Sequence, residues 1–455
     1  MTLTSKAAAY AANLKLDQLS PEVLTRAREA LRDHLACAIA GNGTDLGSLV
    51  WQTLTTGIEG RARLLGSSQS TIPGLAAYCN ATAANAMDFD DTSGAGHPGA
   101  STIPAALDAA TVVPCDGRRF MEAIVAGYEV GMRVAKAIKP SWPRYQLVHG
   151  IGSAQVFGAV AAAGHVLGLK QEAMERAFGI AGSMAPVPHA GKYGWNERPL
   201  TWVKDNVAWP AELGFRAALL ARAGMHANRT ILDGDKGFWI MASSDQFTPS
   251  FLENYDDFEL PKLSLKPYPC CRWIHTTLDA IDEMQREHGL RVEAVARVEV
   301  ETIQALADQF MDRTPRTMVD CEFSLPHAVA MKLQHVDVGE WWIADNRSNQ
   351  GVLQLMARVE SVHDPALTER YLAAGRQNGC IPSRVRIYLM DGGRLEVYRE
   401  VALGEPANPL SEAAQLDKFH HLTARFLSQE ARGVLLDELA TVETLASIEQ
   451  LLAAL

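Results

Sequence analysis

Between positions 88 and 97 the chain places Asp88, Asp90, Asp91, Thr92 and His97, inside the stretch 80–104, NATAANAMDFDDTSGAGHPGASTIP. Carboxylates beside an imidazole set its protonation, and histidine moves protons near neutral pH. Three other short segments carry residues of a related kind. Tyr145 and His149 lie in 145–149, Lys204 follows Trp202 in 202–204, and Lys266, Cys271 and Arg272 lie in 266–275. Singly, each is an ordinary packed or solvated residue. Together they supply two histidines, two lysines, an aspartate and an arginine. Lysine and arginine hold carboxylates, so the set suits a small polyanion whose proton is moved beside a carboxylate.

The elements that position these residues read as helices. An Ala-rich stretch, 72–85, precedes the acidic run, and 101–110 follows it, with Ser101 as N-cap and Pro104 in the first turn. Ser93, Gly94 and Gly96 in between demand a loop. His97 then sits ahead of a helix N-terminus, whose free N–H groups favour a carboxylate. The bland reading is a solvated loop with a capping aspartate. His149 likewise precedes a small-residue helix at 150–169. Residues 4–14, 21–40, 46–55, 120–138 and 171–182 also read as helices, and Gly127 and Gly131 suggest close helix contact. We expect 199–223 to be helical with a kink at Pro210.

The text changes at 259–268, ELPKLSLKPY, where prolines mark a boundary. Beyond it we expect helices at 272–288, 321–333 and 352–359, a strand at 292–301, and a hairpin of strands 384–390 and 395–401 turning at Asp391-Gly392-Gly393. Helices resume at 411–428 and 432–452. The expected architecture is mainly α: a discontinuous helical domain, 1–262 returning at 404–455, with an inserted α+β lid domain at 263–403.

Composition narrows the function. The 455 residues exceed a single core, and 47% hydrophobic with 21% charged residues is ordinary for a globular protein. A net charge of −11 without a basic run opposes nucleic-acid binding. No apolar stretch reaches the length of a membrane span, and the N-terminal text lacks signal-peptide character. Seven scattered cysteines without a C-x-x-C point to a reducing cytoplasm, with no disulfide framework and no metal site. Asp88-Phe89-Asp90-Asp91 could also be read as the magnesium motif of a terpene cyclase. With 7% aromatic residues and no second magnesium-binding pattern, that reading has little support.

The segments NATAANAMDFDDT…HPGASTIPAALDAA, GYEVGMRVAKAI, LTWVKDNVAWPAELGFRAALLA, KPYPCCRWIHTTLDAI and FSLPHAVA, with the small-residue helix after His149, resemble the MmgE/PrpD family from about residue 4 onward. That family includes 2-methylcitrate dehydratase, cis-aconitate decarboxylase and iminodisuccinate epimerase. The resemblance implies a large helical domain, a smaller lid domain, a homodimer, no cofactor and a small polycarboxylate substrate. It further implies a site in which Asp88, His97, His149, Lys204 and Lys266 are catalytic and Thr92 binds substrate. Two positions depart from the decarboxylase pattern: Cys271 stands where that enzyme has a histidine, and His327 where it has a tyrosine. Tyr145, Cys271, Arg272 and His327 are the remaining candidates for substrate contact. Dehydration is the favoured reaction, then decarboxylation, then epimerisation, since all three make a carbanion or enolate beside a carboxylate held by cations. A carboxylate-binding protein without activity is the rival from another class.

Overall fold

The computed structural model describes residues 1–94, 96–149, 151–190, 197–375 and 381–453. It is predominantly helical. Among the described residues the first half holds the α-helices α1 (Leu3–Asn13), α2 (Pro21–Gly41), α3 (Asp45–Thr55), α4 (Leu75–Asn85), α5 (Pro98–Ala110), α6 (Gly117–Ala137), α7 (Trp142–Leu147), α8 (Ile151–Val166), α9 (Gln171–Met184) and α10 (Ala208–Arg222). Their starts carry recognisable caps. Ser20, Thr44, Asp116 and Ser141 each accept an N–H of the first turn through their side chains.

Helix α8 is the hub, packed by α5, α6 and α10. The contact is close because its surface is nearly bare. A Cβ on Gly131 would lie 3.1 Å from the Gly158 Cα, and one on Gly127 would lie 2.9 Å from the Gly158 carbonyl oxygen. The expected tight packing at Gly127 and Gly131 is therefore present, and α5 is held against the same hub.

Helix α5 starts earlier than its sequence suggests. Pro98 occupies the first helical position and His97 the cap, so Ser101 is inside the helix and Pro104 lies beyond its first turn. The Ser101 hydroxyl instead donates to the Val207 carbonyl, 2.8 Å. Helix α10 starts later. Residues 202–205 form a turn, Asn206 has φ 52°, and Pro210 falls in the first turn of α10, where it disturbs no helical bond.

The second unit has a four-stranded sheet in the order Val359–His363, Val295–Thr302, Ser383–Leu389, Arg394–Arg399. The first pair is parallel and the others antiparallel. The helix expected over 352–359 runs instead from Gln350 to Met356, and Val359–His363 is a strand. The hairpin turns at Gly392, with φ 89°. Helix His275–His288 packs on this hairpin and on helix Leu325–Leu333. The expected helix 321–333 is broken. Helix Met318–Glu322 ends, Ser324 caps a new start, and Leu325–Leu333 follows. The chain then returns: helices Glu412–Thr423 and Gln429–Ala440 pack on α2.

Among the described residues no helix is long and apolar enough to cross a membrane. The described cysteines are all free.

Candidate active site

Helix α4 ends at Asn85, and the backbone then passes through Asp88 with φ 48°. A non-glycine residue rarely adopts this left-handed conformation, and such residues gather at functional sites. Two lysines brace it. Lys266 Nζ donates to the Asp88 carbonyl at 2.7 Å, and Lys418 Nζ, from the C-terminal return, donates to the Phe89 carbonyl at 2.7 Å. A third brace joins Thr92 and Ser264 through a pair of backbone hydrogen bonds, each 2.9 Å. That pairing fixes the segment leading to Lys266 against the acidic run.

The side chains converge on one oxygen. Asp88 Oδ1 lies 3.0 Å from Lys266 Nζ, 3.3 Å from Lys204 Nζ and 3.6 Å from His97 Nε2. Burial would raise this carboxyl, but Lys204, Lys266 and His97 hold it well below the usual carboxylate range. His97 Nδ1 faces Asp90 Oδ1 at 3.2 Å, and its Nε2 lies 3.4 Å from Asp205 Oδ2. Burial disfavours the charged imidazole; Asp90 and Asp205 outweigh it and raise the pKa to about 9. His97 is thus an imidazolium at neutral pH.

The α5 N-terminus is already occupied. The Gly99 N–H donates to Asp91 Oδ1 at 3.0 Å, and the Tyr128 hydroxyl donates to Asp91 Oδ2. The expected seat for a substrate carboxylate at this N–H is filled by the chain's own Asp91.

Lys204 is buried between two carboxylates, Asp88 and Glu322, the latter at 3.0 Å from Nζ to Oε2. Burial would lower its pKa, but these two acids raise it well above the usual range. Glu322 and Asp205 were not singled out in the sequence as site residues. Glu322 is 2% exposed, and burial pushes its carboxyl up to about 8 against the pull of Lys204. His189 was also missed. Its strand, His189–Ala190, pairs with Val148–His149 in the register His149↔His189. Burial lowers the His189 pKa, and Asp205 opposes this in part.

Other expected residues fall in varied places. The backbone of His149 lies in that strand just ahead of α8, and its side chain lies outside the described residues. The Thr92 hydroxyl donates to the Gly96 carbonyl at 3.1 Å and so braces the loop. Cys271 donates its N–H to the Glu322 carbonyl at 2.9 Å, and burial pushes its thiol well up. Arg272 is committed elsewhere: it donates to Glu405 Oε1 and the Leu403 carbonyl, both 2.8 Å, and to His275 Nδ1 at 2.9 Å. It ties the insert to the C-terminal return. His327 is buried in helix Leu325–Leu333, and burial, with Arg347 adding to it, lowers its pKa to about 3. Tyr145 stacks on Trp142, and Trp142 meets Trp273, at centroid distances of 5.7 and 6.2 Å.

Asp88, Asp90 and His97 offer ligand atoms within 4.8 Å of one another. Asp88 Oδ1 already faces two ammonium groups, which compete with a cation for this carboxylate.

Residues 5–250 match the model of the MmgE/PrpD N-terminal domain, and 268–442 that of the MmgE/PrpD C-terminal domain. The chain belongs to the MmgE/PrpD family. Among the similar proteins is the cis-aconitate decarboxylase of Aspergillus terreus, 25% identical over all of this chain and 96% of that protein. The cis-aconitate decarboxylases of Mus musculus and Homo sapiens are each 26% identical over 58% of this chain, covering 52% and 53% of their own lengths. The acidic run, the loop histidine and the two lysines of this MmgE/PrpD chain all lie within the matched domains except Lys266, which sits between them.

Proposed function

We propose that this chain is a cofactor-independent lyase acting by proton transfer beside a carboxylate of a small di- or tricarboxylic acid. The observation that carries this reading is the convergence of buried Lys204 and Lys266 on the oxygen that also faces His97. Two ammonium groups can hold carboxylates and stabilise the negative charge that builds on an enolate. The adjacent imidazolium can deliver a proton.

Dehydration of a 2-methylcitrate-like hydroxy acid is the favoured reaction. It needs an acid for the leaving hydroxyl and a base for the carbon proton. His97 is pushed up and His189 down, and titrating groups driven apart in this way suit acid and base roles. His149, on the strand beside His189, is the other candidate base. Decarboxylation of a cis-aconitate-like acid is the second reading, supported by the full-length relatives of that name; it needs only the acid. Iminodisuccinate-type epimerisation comes third. Incubation with 2-methylcitrate, cis-aconitate and iminodisuccinate, followed by NMR, separates the three. Binding of all three acids without turnover would favour the non-catalytic rival.

The reading extends to the whole chain. The helical domain would comprise 1–262 and 404–455, the lid 263–403, and the site the cleft between them. We further expect a cytoplasmic homodimer, which sedimentation would test.

A further inference from the structure

Glu322 has a place in this site that the proposed reaction does not yet use. The helix break at Phe323 aims it at Lys204, with Oε2 at 3.0 Å from Nζ. Its other oxygen, Oε1, is buried without a hydrogen-bond partner. A buried carboxylate oxygen left unpaired is costly. Lys204 is meanwhile the group that would hold a substrate carboxylate. The chain therefore places a carboxyl group of its own on that clamp.

We propose that Glu322 is an internal stand-in for a substrate carboxylate on Lys204, and that it must carry a proton while the substrate is bound, taking that proton from solvent wherever it is ionised beforehand. The inference rests on the polycarboxylate reading above. When a substrate carboxylate joins ionised Asp88 on Lys204, a further negative charge on Glu322 is strongly disfavoured in a buried site. An ionised Glu322 then takes up a proton and forms an O–H bond. The resulting carboxylic acid can donate to the incoming carboxylate through the oxygen that now has no partner.

The charged neighbours agree with this direction. Lys204 and Lys266 favour the ionised form, while Asp88 and burial oppose it. Asp205 lies 4.0 Å from Lys204 Nζ, and His97 faces Asp88. Cys271, which holds the Glu322 carbonyl, has a thiol raised by burial and so brings no charge. With its carboxyl pushed up to about 8, Glu322 is mostly protonated at neutral pH already, so the uptake appears, and costs affinity, only above that pH.

The test uses propane-1,2,3-tricarboxylate, which has neither hydroxyl nor double bond and so cannot react. Calorimetric titration in buffers of different ionisation heat gives the protons taken up on binding. Near pH 9 the wild type should take up about one proton more than Glu322→Gln. Wild-type affinity should fall about tenfold between pH 7 and pH 9 beyond any fall in the variant. Equal proton uptake and equal pH dependence in both proteins would overturn the proposal. Should the variant not fold, infrared difference spectra of the wild type at pH 9 decide the matter. Binding should convert a carboxylate band into a carboxylic-acid band, and no such conversion overturns the proposal. Absence of any binding to the wild type is a different result, which overturns the polycarboxylate reading itself.

Discussion

Lys266 holds Asp88 twice, through the backbone carbonyl at 2.7 Å and through the side-chain Oδ1 at 3.0 Å. One ammonium group thus fixes both the left-handed backbone of Asp88 and the charge of its carboxylate. Lys266 is 1% exposed, so the pair is a buried one. Breaking such a pair leaves an uncompensated charge. Lys266→Met is expected to lower stability by about 3–5 kcal/mol and to abolish turnover. Urea denaturation of the variant beside the wild type checks the first, and the NMR assay the second. A variant of normal stability would contradict the account of the Asp88 turn.

His97 links the site to pH. Its folded pKa, about 9, is above the usual histidine value. A raised pKa adds stability that is fully present below the unfolded value, ~6.5, and is lost as pH rises through about 9. The difference in stability between wild type and His97→Gln should therefore be largest below pH ~6.5, on the order of 3 kcal/mol, and shrink across that window. A difference that grew with pH would show that the imidazole is not held charged.

Cys271 occupies a position where the related decarboxylase pattern has a histidine. Burial keeps its thiol protonated. Cys271→Ser should keep much of the turnover. A loss of ~10²–10⁴-fold, the usual size for a removed acid or base, would make the thiol a proton carrier instead.

Metal removal gives a further check. Asp88, Asp90 and His97 could approach one cation, but Lys204 and Lys266 lie against the Asp88 oxygen. Chelator-treated protein is expected to retain its turnover, with elemental analysis run on the same sample. Stoichiometric metal whose removal abolishes activity would reverse this expectation.

Much of the site was legible because residue type alone exposes it. Four polar groups at a junction of two apolar helices are not needed for folding, so Asp88 and His97 stood out. Lys204 and Lys266 were marked only by their placement beside loops and helix ends, and their roles came from the family resemblance. Glu322 did not, because 321–333 has an unbroken apolar pattern. The cap at Ser324, with Pro326 in the first turn, was the available signal for a new helix start. The ion pair of Arg272 with Glu405 was not legible because the two lie more than a hundred residues apart in sequence. Helix α5 was started late because Ser101 is a good cap, whereas Pro98 sets the helical φ three residues earlier. The strand Val359–His363 was missed because only its first residue is buried, so it shows no alternation.

The central claim is that His97 exchanges a proton with the substrate while Lys204 and Lys266 hold its carboxylates. Turnover in D₂O, followed by NMR on whichever of 2-methylcitrate, cis-aconitate or iminodisuccinate is consumed, tests it most directly. The account predicts solvent deuterium on the carbon beside a carboxylate, or loss of a label from it. His97→Gln should still bind the acid but lose ~10²–10⁴-fold in turnover. Near-normal exchange and turnover in His97→Gln would contradict it.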